Sequence, residues 1–282
     1  MNHLQKRPFR VKLKRAMHHN QLPRLATATL SLFFGLALFA PLPFVVLTPG
    51  SAQDVLNEAI TPSKSTVSPL KFYKADGHIY LLSILITKPV AYVTGVELIY
   101  SWVRSDFSVM PRSLFYRDGV NATTEEAKSK TEMVDSQLSA KVSALNFLKS
   151  RYPNLKTSAI EPSDISISLA KTVGPSGGLA FALGIVELLT PENLLRGRSV
   201  AVTGTIGADG DVGGIGGIVQ KILAAEKAGA TLILVPTSNC KDLAPGVAKI
   251  PANIKVAAVS TLEEALIALN SASPRSCANL GA

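Results

Sequence analysis

The 282-residue chain is 47% hydrophobic and 17% charged, a globular composition long enough for one or two cored domains, which excludes wholesale disorder. Its net charge of +9 is concentrated rather than spread: residues 1–24 hold Lys6, Arg7, Arg10, Lys12, Lys14, Arg15 and Arg24 and no acid, and without those seven the remainder carries about +2. The folded part therefore offers no basic face, and nucleic acid is not an expected partner.

Residues 25–53 are uncharged, and residues 30–47 read LSLFFGLALFAPLPFVVL. A bilayer core needs about 20 mostly apolar residues, so a transmembrane helix is expected over 25–47, with Pro41 and Pro43 interrupting its end. The basic flank keeps residues 1–24 as a cytoplasmic tail and sends the rest outside the cell membrane. Gly50-Ser51-Ala52 offers the alternative of a cleavage site. Residues 48–70, rich in Pro, Ser and Thr, read as a linker. Residues 72–74 and 78–86 are strand-like about an Asp76-Gly77 turn and predict a hairpin. Residues 92–103 suit helix or strand. A long helix is expected near 123–150, ended by Arg151-Tyr152-Pro153.

From residue 165 the pattern alternates: strand 165–169, helix from Gly174-Pro175 to Leu189, strand 199–206, a Gly-rich turn over 207–217, helix 218–228, strand 231–235, strand 255–259 and helix 261–269. Thr261 and Glu264 have the spacing of a capping box. The fold class is α+β, a mixed sheet with flanking helices. Its units are a region of 48–155, a domain of 156–272 and a tail of 273–282. Cys240 and Cys277 form one disulfide in an oxidising compartment, or stay as two buried thiols. Neither has metal-ligand spacing, and no metal or other cofactor is expected. Asp209 and Asp211 read as turn formers. No G-x-x-x-x-G-K-[ST] occurs, so ATP is not an expected partner.

Gly174-Pro175-Ser176-Gly177-Gly178 sets a serine between glycines where a loop becomes a helix. There the hydroxyl is accessible, and unpaired backbone N–H groups can stabilise an oxyanion. The same residues also suit a helix start packed through small side chains. Of the four histidines, His3, His18 and His19 lie in the tail and none follows Ser176, so a Ser-His-Asp triad in hydrolase order is excluded. His78 is the one histidine outside the tail. A desolvated lysine is the usual substitute base. On helix 218–228, Gln220 and Lys227 mark the solvent side, while Lys221 lies about 120° from Lys227 on an arc of Ala224, Ala225 and Ala228. Small neighbours leave room for a buried amine, and a base near neutral pH needs about 4 kcal/mol of differential stabilisation. A surface lysine is the plainer alternative.

The segments GPSGGLAFALGIVELLT and AVTGTIGADGDVGGIGGIVQKILAAEKAGATLILVP resemble the proteolytic domain of Lon proteases over residues 162–270. The resemblance implies a Ser-Lys dyad of Ser176 and Lys221, with Thr203 orienting the amine. LPFVVLTPGS, IYSWVRSDFSVMPRSLFY and the two cysteines also resemble the single-pass, membrane-anchored Lon-like peptidases of Gram-positive bacteria. Those usually carry a PDZ domain ahead of the peptidase domain. The dozen residues available here are too few for one, and Val173 stands where many ATP-dependent Lon enzymes have an acid. The resemblance thus implies an ATP-independent serine endopeptidase acting on extracytoplasmic polypeptides, with a homo-oligomeric ring as a further expectation. A membrane-anchored scaffold that keeps the fold without catalysis is the alternative.

Overall fold

The computed structural model describes residues 23–57, 59–63, 71–116, 122–155, 159–169, 174–244 and 250–277. Val173 lies outside them. The chain forms two compact units, Met1–Ala40 and Pro41–Ala282.

In the first unit, helix α1 spans Arg24–Phe39 and buries none of its side chains. It stops there because Ala40 precedes a proline and turns extended. The expected helix over 25–47 is therefore shortened at its end. Pro41–Leu42 form strand β1 and Phe44–Asp54 form strand β2. Period-two alternation puts Val45 and Leu47 into the core of the second unit. The apolar run is half helix and half core strand. Among the described residues no helix is long and apolar enough to cross a membrane.

The second unit is built on a six-stranded sheet. Its order is β12 (Lys255–Val259), β11 (Leu232–Pro236), β8 (Ser199–Val202), β4 (His78–Ile86), β2 and β6 (Ser108–Pro111). The first four strands are parallel to one another, and β2 runs antiparallel to both β4 and β6. The sheet is mixed, as expected for an α+β fold. The expected hairpin about Asp76-Gly77 does not form. Residues 71–77 are not strand, and Gly197 N–H and Arg198 O bond to Asp76 O and His78 N–H. These contacts dock the turn beside β8, while β4 takes β2 and β8 as its partners. Residues 48–54, expected as linker, belong to β2. Ile60–Pro62 form β3, which pairs with β7 (Ile165–Ile167).

Val93–Thr94 form β5, paired with β1. Thr94 then caps α2 (Gly95–Val103) through a capping box with Glu97, which resolves the ambiguity of residues 92–103 as helix. Helix α3 spans Ala122–Arg151. Helix α4 (Gly178–Leu189) is buried along its whole length. β9 (Thr205–Ile206) pairs with β10 (Val212–Gly213) and leads toward α5 (Ile218–Lys227). Helix α6 (Leu262–Asn270) is capped by Thr261, while the Glu264 carboxylate reaches one residue further back, to Ser260 N–H.

Alternate side chains of the central strands feed two cores. Leu81, Val200, Val202, Leu232 and Leu234 pack with α3, α4 and α6, while Leu82, Ala201, Ile233 and Val235 pack with α5. The sheet thus lies between α4 on one face and α5 on the other. Residues where β8 ends stand within reach of both helices.

Candidate functional site

Ser176 sits in a single 3-10 turn, Pro175–Gly177, at the start of α4. Gly174, at φ 97°, admits the chain to that turn in a conformation that L side chains rarely adopt. The turn is clamped from two sides. Ser136 Oγ–H of α3 donates to Pro175 O at 2.9 Å, and Gly204 N–H donates to Ser176 O at 2.9 Å. A Cβ on Gly177 would collide with Leu81 of β4, and one on Gly178 would come within 2.8 Å of Ser136 Oγ. The glycines around the serine are there to let α3 and β4 approach the backbone, while the Ser176 side chain keeps partial exposure.

The expected strand 199–206 breaks at Thr203-Gly204. Thr203 N–H still donates to Leu234 O at 3.1 Å, prolonging the ladder with β11 by one bond. Gly204, at φ 155°, then turns the chain. The break leaves the Thr203 hydroxyl at the end of β8, facing the serine turn.

Lys221 comes from the first turn of α5. That helix begins after Gly217, which is left-handed at φ 65° and whose added Cβ would lie 2.9 Å from Ile84. The close approach seats α5 against the sheet, so Lys221 is 2% exposed among Ala224 and Ala225. The small neighbours expected on its arc are present, and of the two alternatives the structure shows the buried lysine. Gln220, expected on the solvent side, is instead buried, because the edge strand β6 crosses it and Ser108 Oγ accepts from its amide at 2.6 Å.

The three side chains meet. Lys221 Nζ lies 2.8 Å from Ser176 Oγ and 2.9 Å from Thr203 Oγ1, and Thr203 Oγ1–H donates to Ser176 O at 3.3 Å. Burial pushes the Lys221 amine down to about 7, since a charged ammonium loses its water there and no carboxylate among the described residues pairs with it. A neutral amine can give one N–H to Thr203 Oγ1 and turn its lone pair toward Ser176. His78 takes no part in this cluster. Its Nδ1 lies 2.7 Å from Asp54 Oδ2 at the start of β4. Ser136 was not legible in the sequence, since only the packing of α3 on the serine turn reveals its bond.

Asp209 Oδ1 accepts from Asp211 N–H at 3.1 Å, an arrangement local to the turn. Among the described residues no group of three or more His, Cys, Asp or Glu side chains is placed to hold a metal ion. Cys240 and Cys277 are joined, with Cα atoms 5.0 Å apart.

Residues 129–271 match the family described as Lon protease (S16) C-terminal proteolytic domain. Among curated relatives, the chain is 33% identical over 147 residues to the Lon protease of Rickettsia typhi, covering 50% of this chain and 18% of that protein. It is 39% identical over 93 residues to the Lon protease of Haemophilus influenzae, covering 33% and 11%. The Lon protease of Campylobacter concisus matches at 37% over 94 residues, covering 33% and 11%. The chain thus spans less than a fifth of the length of these relatives. The family match takes in about half of the chain and runs from α3 through α6, including the serine turn, Thr203 and Lys221, so this chain belongs to the Lon proteolytic-domain family.

Proposed function

We propose that the chain is a serine endopeptidase in which Ser176 is the nucleophile and Lys221 the general base. One observation carries the reading: a desolvated amine, pushed down to about 7 so that it loses its proton near neutral pH, lies 2.8 Å from a partly exposed serine hydroxyl. Ser176 Oγ–H gives its proton to the Lys221 lone pair as Oγ attacks a peptide carbonyl. The resulting alkoxide is met by backbone N–H groups of the serine turn. The Ser176 amide suits this role, because the first turn of a helix leaves amides without intrahelical acceptors. The Gly174 amide, otherwise a candidate, is 3.3 Å from Ser129 O and already donates there. Lys221 returns the proton to the departing amine, and water then cleaves the Ser176 ester by the same proton path.

Ser-Lys hydrolysis of a peptide bond consumes no nucleotide, and the proposed activity proceeds without ATP. The proposed substrates are polypeptides outside the cytoplasm. Two features support that location: the acid-free basic tail ahead of an apolar helix, and the Cys240–Cys277 bond, of a kind that persists in oxidising compartments. Helix α1 rises about 24 Å over its 16 residues, short of a hydrocarbon core of about 30 Å. Local bilayer thinning and flanking residues absorb such a mismatch. We place α1 in the cell membrane and the second unit outside it.

A serine-directed acylating probe and a casein-type polypeptide substrate test the reading together. Wild-type protein should be labelled on Ser176 and should cleave without ATP. Ser176→Ala and Lys221→Ala should lose both signals while keeping native circular dichroism. Full cleavage by either variant refutes the dyad. Folded wild-type protein that resists labelling points instead to a scaffold.

A further inference from the structure

Helix α2 has its apolar stripe on the wrong side for a core element. Val96, Ile99, Tyr100 and Val103 recur at i, i+3, i+4 and i+7, the spacing of one helix face. All four are exposed, Val103 to 81%. Trp102, 78% exposed, flanks them. The side turned inward carries Gly95 and Ser101, the buried residues of the helix. Tyr92 extends the stripe on the loop before β5, and the Arg112 guanidinium lies over its ring at 5.3 Å. The acids nearby are engaged: Glu97 in the Thr94 cap and Asp106 with Arg104.

The occupant of this face follows from where the chain enters the second unit. The peptide bond after Ala40 leads directly into β1, β1 pairs with β5 through Pro41–Thr94 and Leu42–Val93, and Thr94 caps α2. The apolar face therefore belongs to the element one strand pair away from Pro41, the residue at which the chain enters the second unit. Aromatic side chains together with arginine, beside an apolar stripe, are the composition of a segment lying in a membrane interface. We infer that the Val96–Ile99–Tyr100–Val103 face of α2, with Trp102, seats on the bilayer surface at the membrane exit. The inference rests on the placement of α1 in the membrane.

Trp102 is the sole tryptophan of the chain, so the full-length protein carries its own reporter. The experiment reconstitutes it in vesicles of phosphatidylcholine and phosphatidylglycerol with brominated acyl chains. An interfacial helix lies about 5–10 Å below the headgroups. Trp102 emission should therefore shift to the blue and lose most of its intensity with bromines near the headgroup, and less with bromines near the chain ends. The double variant Ile99→Asp, Val103→Asp should still float with the vesicles and label with the serine probe, while its emission returns to the solvent-exposed position. Floated protein whose Trp102 stays solvent-exposed and unquenched overturns the seat and leaves the anchor standing. Protein that fails to float overturns the anchor and the seat with it. A blue shift that grows with protein concentration and ignores the bromines assigns the face to a second copy of the chain, and also overturns the inference.

Discussion

The Thr203 hydroxyl is bonded on both sides: it accepts from Lys221 Nζ at 2.9 Å and donates to the Ser176 carbonyl at 3.3 Å. One side chain thus ties the proposed base to the backbone of the proposed nucleophile. A neutral amine has a single lone pair, and an N–H committed to Thr203 Oγ1 steers that lone pair toward Ser176 Oγ. Thr203→Val keeps the volume but removes the acceptor. Its kcat should fall about 10–100-fold, in the range of an oriented general base partly lost, with KM changed far less. An ammonium donates more strongly than an amine, so losing the acceptor also favours the neutral form. The acid limb of the variant's pH profile should shift to lower pH. Steady-state kinetics across pH reads both effects, and an unchanged kcat removes Thr203 from the proposed mechanism.

That acid limb is itself a prediction. The Lys221 amine titrates at about 7 because burial withholds water from the charged form. The base is competent only when neutral, so kcat/KM should drop about tenfold per pH unit below that value. The probe-labelling rate of Ser176 should follow the same curve. A labelling rate flat from pH 5 to 9 would mean that the serine is not activated by this amine.

The same burial has a cost in stability, with a definite sign. Unfolded, the amine titrates near its usual 10.5; folded, it does so at about 7. Between those values the unfolded chain binds more protons, so stability rises with pH across the window and the penalty is full below it. The full penalty is about 5 kcal/mol. Lys221→Met fills the space without a charge. It should be inactive yet more stable than wild type at pH 6–7 by a few kcal/mol, after the loss of hydrogen bonds to Ser176 and Thr203 is subtracted. The gap should narrow toward pH 10. Urea denaturation at three pH values measures this, and a variant less stable at pH 6 contradicts a burial penalty on the Lys221 ammonium.

The parts of the site visible in the sequence are those set by local chemistry. Glycines around Ser176 mark a serine where a loop becomes a helix, and small residues around Lys221 leave room for a buried amine. A surface lysine fits that pattern equally, and it is the resemblance to Lon proteases that pairs the two residues. What stayed hidden depends on partners distant in the chain. Gln220 reads as a solvent residue until β6 brings Ser108 to it. Ser136 is one polar residue among many on a long helix until α3 packs on Pro175. The apolar run of residues 30–47 looks continuous because hydrophobicity alone does not separate a helix from a buried strand. Pro41 makes the division, and the alternation of Val45 and Leu47 becomes meaningful only once β2 has neighbours on both sides.

The disulfide ties the end of the described chain to the segment after β11. Cys277 packs against the α5-side core, and Arg275 O accepts from Ala258 N–H of β12 at 2.8 Å. The bond spans a sequence separation of 37, for which chain-entropy arguments give a stabilisation of about 4 kcal/mol. The expected outcome for Cys240→Ser with Cys277→Ser is therefore a large drop in the denaturation midpoint. The α5-side core also carries Lys221, so loosening it should reduce Ser176 labelling at temperatures below the midpoint. Wild-type protein treated with reductant should behave like the double variant. If both denature like the untreated protein, the tail is held by Arg275 and its neighbours, and the bond contributes nothing to the fold.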